Sequence, residues 1–279
     1  MTENLKHPLD SISGSHSPHR PSKISKTTDD HSDDEQQQQQ QPESMSQRPG
    51  IQRYLLAIEY IGTRFSGSQQ QSNCRTVVGV LEEAFHKFIG QPVSIFCSSR
   101  TDAGVHALSN VCHVDVERIS KRKPGEVLEP HEPAVVKRAV NHFLQKNEGD
   151  VMVIDVRSVP ANFHARYKAQ ERTYFYRLLS GAEPLSTFEK DRAWHVSEEL
   201  NLRAMQEACK VLVGHHDFSS FRAAGCQVRL LVGVLKAVGT GDLKVPDVER
   251  ILNAKTVTAA SPMAPACGLY LGHVKYDLP

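Results

Sequence analysis

Ser99-Arg100-Thr101-Asp102-Ala103-Gly104-Val105-His106-Ala107 sits between two apolar runs, residues 93–98 (VSIFCS) and 111–116 (VCHVDV), that read as strands. A strand that ends in a tight glycine turn can hold one side chain rigidly over a cleft. Here that side chain is a carboxylate, with an arginine two positions before it. An Asp beside Ala-Gly is an ordinary turn former on its own. The uninterrupted nine-residue string is what singles it out.

Working outward, residues 54–60 (YLLAIEY) form a first strand. Thr76 then precedes Val77, Val80, Leu81, Ala84, Phe85 and Phe88, a one-face helical spacing closed by Gly90. After the two strands around the motif come a basic loop at 118–123, a helix over 134–144 and a strand over 151–156. The order β-α-β-β-α-β is that of a ferredoxin-like α+β unit. The later half offers a strand at 173–179, helices at 202–213, 228–238 and 248–252, and a closing strand at 269–276. Two such halves put a cleft at their junction, a usual place for a ligand. Three regions follow: a tail (1–50), a first α+β half (51–160) and a second half (161–279).

The tail carries six consecutive glutamines and few branched apolar residues, too little to offset its conformational entropy, and reads as disordered. It holds five basic and eight acidic residues, which leaves the other 229 residues at a formal +4. That mild basicity fits a nucleic-acid partner without requiring one. The six cysteines show no C-x-x-C pair and no Cys/His ligand spacing, so no metal site is expected and the thiols read as reduced. No membrane association is expected either, because no apolar run reaches spanning length. The acid-rich N-terminus is unlike an import presequence. The protein is therefore expected inside the cell, in cytoplasm or nucleus, with mitochondria the alternative.

The string RTDAGVHA after a strand resembles the catalytic motif of the tRNA pseudouridine synthase A (TruA) family. The longer SSRTDAGVHALSN is most similar to its eukaryotic tRNA pseudouridine synthase-like 1 branch. Four further segments resemble that family in order: FHAR…RTYFY (163–176), GHHDFSSF (214–221), QVRLLVG (227–233) and GLYL (268–271). The resemblance implies a cofactor-free isomerase acting on uridines of the tRNA anticodon stem-loop, working as a homodimer. It assigns Asp102 as the nucleophile and Arg229 as its counter-ion. Tyr174 would be the stacking platform for the base, and Arg100 the wedge filling the place of the flipped nucleotide. Arg166 and Arg172 lie in a basic stretch suited to backbone phosphates. Such a carboxylate is expected in a water-poor pocket, where a neighbouring cation keeps it charged. Asp217 reads as a turn or cap residue.

The chain departs from the family at one place. Phe221-Arg222-Ala223-Ala224-Gly225-Cys226-Gln227 runs directly into Val228-Arg229, where the family has a hairpin of two central strands. The expected fold is therefore two ferredoxin-like halves, the second lacking a central strand pair. Two other readings stay open: a catalytically silent RNA-binding protein, and a truncated isoform that does not fold stably.

Overall fold

The computed structural model describes residues 50–146, 148–222, 227–256, 259 and 262–278. The Gln-rich tail and the short connection at 223–226 lie outside these. The elements run β1 (Ile51–Tyr60), α1 (Val77–Ile89), β2 (Ile95–Cys97), β3 (His106–Glu117), α2 (Pro133–Lys146), β4 (Val151–Val159), β5 (Ala169–Tyr176), β6 (Leu178–Ser180), β7 (Trp194–Val196), α3 (Leu202–Leu212), α4 (Gln227–Gly239), α5 (Val245–Ala254) and β8 (Leu269–Tyr276).

The first half is the predicted unit. Its strands lie in the order β4-β1-β3-β2, every neighbouring pair antiparallel. Inward residues of β1 and β3, such as Tyr54, Leu56, Ile58, Cys112 and Val114, join one core with Val77, Leu81 and Phe85 of α1 and Val136, Val140 and Leu144 of α2. Thr76 caps α1 by accepting the Gly79 N–H, and Gly90 ends it at φ +83°, as the spacing predicts.

The second half joins the same sheet through β3. One edge of β3 is shared, with β2 opposite Cys112, His113 and Val114 and β8 running parallel opposite His106 and Ala107. β5 then pairs antiparallel with β8 and ends the strand path. In the first half the two middle strands lie beyond β1, on the side away from β4. By the same pattern the middle pair of the second half belongs beyond β5, between α3 and α4. Among the described residues no strand pairs with β5 on that side. Helices α3, α4 and α5 instead share a small core of their own around Phe221, Leu230, Val234, Val248 and Ile251.

Several boundaries differ from expectation: β1 begins at Ile51 rather than 54, β4 ends at Val159 rather than 156, and β5 begins at Ala169 rather than 173. β3 begins at His106, inside the motif, rather than at 111. The strand expected over 173–179 breaks at Arg177, after which β6 leaves the main sheet to pair in parallel with β7. The basic run 118–123 follows the far end of β3. Among the described residues no helix is long and apolar enough to cross a membrane.

Candidate active site

The Asp102 loop spans the gap between β2 and β3 and is fixed from beneath by buried polar groups. Thr101, directly before the aspartate, is held three ways. Its N–H donates to Ser68 Oγ (2.8 Å), its carbonyl accepts the Ser68 N–H (2.9 Å), and its hydroxyl meets Tyr60 OH (2.8 Å). Burial pushes the Tyr60 phenol up, so it stays a neutral hydrogen-bonding group. Asn110 donates to the Ser99 carbonyl and accepts from Ser98 Oγ. After the aspartate, Gly104 adopts φ +79°, and the Val105 N–H returns to the Asp102 carbonyl (3.2 Å). A side chain at Gly67, itself at φ +106°, would start 2.9 Å from the Thr101 carbonyl oxygen, so the floor beneath the loop needs glycine there.

His106, the motif's histidine, closes the loop. Its Nδ1 accepts the Gly62 N–H (3.1 Å), which leaves Nε2–H to donate to the Asp191 carbonyl (3.1 Å), and the ring stacks on Tyr270. Burial pushes its pKa down, which suits this neutral, structural tautomer.

The second half supplies the residues around the carboxylate. Arg229, in the first turn of α4, donates from Nε to the Ala264 carbonyl (2.6 Å), while Ala264 N–H donates to the Arg229 carbonyl (3.0 Å). Its Nη1 lies 3.8 Å from Asp102 Oδ2. The sequence thus brings together the predicted pair across the junction of the halves. The expected water-poor pocket is not closed, however. The Asp102 side chain is 42% exposed and that of Arg229 14%. Exclusion of water from the carboxylate therefore falls to the substrate.

Tyr174 is half-buried beside the loop, its hydroxyl 3.5 Å from Ser99 Oγ. Arg100 and Arg166 are exposed. Arg172, expected on a phosphate-facing surface, is turned inward. It donates to Ser99 Oγ (2.9 Å), the Ser98 carbonyl (2.9 Å) and the Arg166 carbonyl (3.1 Å). It therefore ties the root of the Asp102 loop to the FHAR segment. Arg53 fixes the start of that segment through the Ala161 and Phe163 carbonyls while pairing with Asp115. Asp217 accepts from Ser219 N–H and hydroxyl, a turn contact that lowers its pKa, and Lys255 lies nearby. The supporting roles of Ser68 and Ala264 had no local sequence signal, whereas Asn110, a polar residue within an apolar strand, could have drawn notice, and Arg172 was singled out for a different role.

Fold and loop together describe an enzyme site built around one carboxylate, set where two ferredoxin-like halves share a sheet. A family profile described as tRNA pseudouridine synthase matches residues 56–168 and 226–277. Asp102, Arg100, Arg166 and Arg229 lie inside the matched blocks, Arg172 and Tyr174 outside. The chain belongs to the tRNA pseudouridine synthase family. It is 38% identical over 258 residues to tRNA pseudouridine synthase A of Parvibaculum lavamentivorans, covering 81% of this chain and 99% of that protein. It is similarly 38% identical over 259 residues to the Rhodospirillum centenum protein of that name, and 36% identical over 257 residues to that of Xanthobacter autotrophicus. Four-fifths of this 279-residue chain is shorter than the 258-residue alignment. The relatives therefore carry residues that have no counterpart here.

Proposed function

We propose that this chain converts uridine to pseudouridine in the anticodon stem-loop of tRNA, with Asp102 as nucleophile. The observation that carries the reading is the approach of Arg229 to Asp102 from the opposite half of the molecule. In the isomerisation the bond from the ribose to N1 of the base breaks and one to C5 forms. N1 gains a proton and C5 loses one, so no redox partner or group donor is consumed. Asp102 attacks the sugar or takes a proton from it. The base must first leave its stack, at a cost of a few kcal/mol. Arg100, exposed beside the nucleophile, fills the vacated place, and Tyr174 supplies the ring against which the base rests.

Once a nucleotide covers the loop, Asp102 loses its contact with solvent and Arg229 becomes its main electrostatic support. The string SSRTDAGVHALSN supports a place in the eukaryotic tRNA pseudouridine synthase-like 1 branch, and the resemblance supports a homodimer. The compartment we favour is cytoplasm or nucleus, with mitochondria the alternative.

Asp102→Asn keeps size and hydrogen bonding but removes the charge. Tritium release from uridine-labelled tRNA should vanish while tRNA binding persists. Residual turnover above about a tenth of the parent, ~1.4 kcal/mol in barrier, would remove Asp102 from that role. A parent chain that binds tRNA yet makes no pseudouridine would favour the silent RNA-binding reading instead.

A further inference from the structure

Cys97 and Cys112 stand directly opposite each other on β2 and β3, their sulfurs 2.9 Å apart. At the next rung Ser98 N–H donates to the Val111 carbonyl (2.7 Å), so the cysteines occupy a rung without a hydrogen-bonded pair. Cα atoms at such a rung are about 4.5 Å apart, within the 4.4–6.8 Å or so that a disulfide spans. The two residues are 15 positions apart in the chain, and the segment between them is the Asp102 loop. Cys97 is partly exposed and Cys112 fully buried, while Cys74 and Cys209 are exposed elsewhere.

We propose that Cys97 and Cys112 form a modification site, a dithiol that small-molecule disulfides such as oxidised glutathione convert into a cross-strand disulfide at the root of the Asp102 loop. The Cys97 thiolate attacks one sulfur of the glutathione disulfide and expels a glutathione thiolate, giving a mixed disulfide. Cys112 then attacks the Cys97 sulfur and expels the second. The protein loses two electrons and two protons, and the reagent is reduced to two thiols. Cys97 is the entry point because it is accessible, whereas burial pushes the Cys112 thiol well up. The sulfurs need to close by less than about 1 Å, so the loop keeps its shape. The bond is therefore a staple on a formed site.

The test treats the full chain with oxidised glutathione and maps its peptides. A crosslink between the Cys97 and Cys112 peptides, with a loss of about 2 Da, is expected, while Cys74 carries glutathione. The unfolding midpoint should rise by about 5 °C or more, and turnover, where the parent has it, should stay within about twofold. Cys112→Ala should trap glutathione on Cys97, and Cys97→Ser should give no internal bond. Glutathione left on Cys97 of the parent, or both cysteines still open to alkylation after denaturation, would overturn the proposal. The mass readout does not depend on catalysis, so it stands apart from the assignment of isomerase activity.

Discussion

Arg172 holds the two residues that precede Arg100, and through them the loop from which Asp102 projects. A lysine there keeps the charge but cannot reach Ser99 Oγ and the Ser98 carbonyl with one planar fork. Arg172→Lys should therefore lower kcat by about tenfold or more and leave KM for tRNA nearly unchanged, because a misaimed group costs turnover rather than binding. A phosphate contact would behave the other way, raising KM and flattening the salt dependence of binding by about one unit of slope. Steady-state kinetics at two salt concentrations separates the two. His113 makes a different prediction. It accepts the Ala165 N–H at Nδ1 (3.2 Å), it is buried, and burial with the nearby His164 and Arg53 pushes its pKa down to about 3. It is neutral in the fold and protonates near pH 6.5 once unfolded. Its contribution to stability is therefore intact above about pH 6.5 and is lost as pH falls toward 3, at up to ~1.4 kcal/mol per unit. His113→Asn keeps an acceptor without the titration. Urea unfolding at pH 7 and pH 5 should show the parent losing about 2 kcal/mol more than the variant.

At the scale of elements, the edge of β5 is the weak point. Phe175 on this strand is 52% exposed, and a strand edge that no described strand pairs is a template for pairing with another chain. The α3–α5 cluster shares the problem, since among the described residues it has eight buried apolar side chains against twenty-eight in the sheet core. Each buried side chain is worth roughly 1.5–3 kcal/mol against a total of ~5–15 kcal/mol for a domain, so the smaller cluster has little to hold it. Amides of α4, the helix carrying Arg229, should exchange with solvent well before those of β1 and β3. Restoring a two-strand hairpin before Val228 should slow α4 exchange, suppress aggregation and raise turnover. Equal protection of α4 and β1 in the chain as it stands would show that the hairpin is dispensable. Much of this was legible in advance. The caps of α1, the β-α-β-β-α-β order and the bounds of β8 follow from local pattern. The start of β3 did not, because residues 106–110 are strand only through partners on β1 and β8. Arg172 was misplaced for a similar reason: it looks like one more charge in a basic run, and only folding brings residues so distant in sequence together. The Asp102–Arg229 approach was expected from the family resemblance; nothing local in either segment encodes it.

Across the whole molecule, exposed basic residues are offered to an RNA at two separated places. Arg100 is exposed within the Asp102 loop, while Lys121, Arg122 and Lys123 are exposed beyond the Glu117 end of β3. From Asn110, which holds the root of the Asp102 loop beside Arg100, β3 runs seven further residues to Glu117, about 23 Å at ~3.3 Å each, before the basic run begins. The strand thus acts as a ruler laid under the substrate. An RNA must be long enough to reach from one end to the other before the distant lysines can add to its affinity. Replacing Lys121, Arg122 and Lys123 with glutamine should weaken binding of full-length tRNA and reduce its salt slope by about two to three. The same change should leave an isolated anticodon stem-loop bound as before, because so short a hairpin seated on Asp102 ends before it meets them. Gel-shift titrations of the two RNAs side by side read the ruler directly. Equal losses for both would mean that the RNA lies across β3 rather than along it.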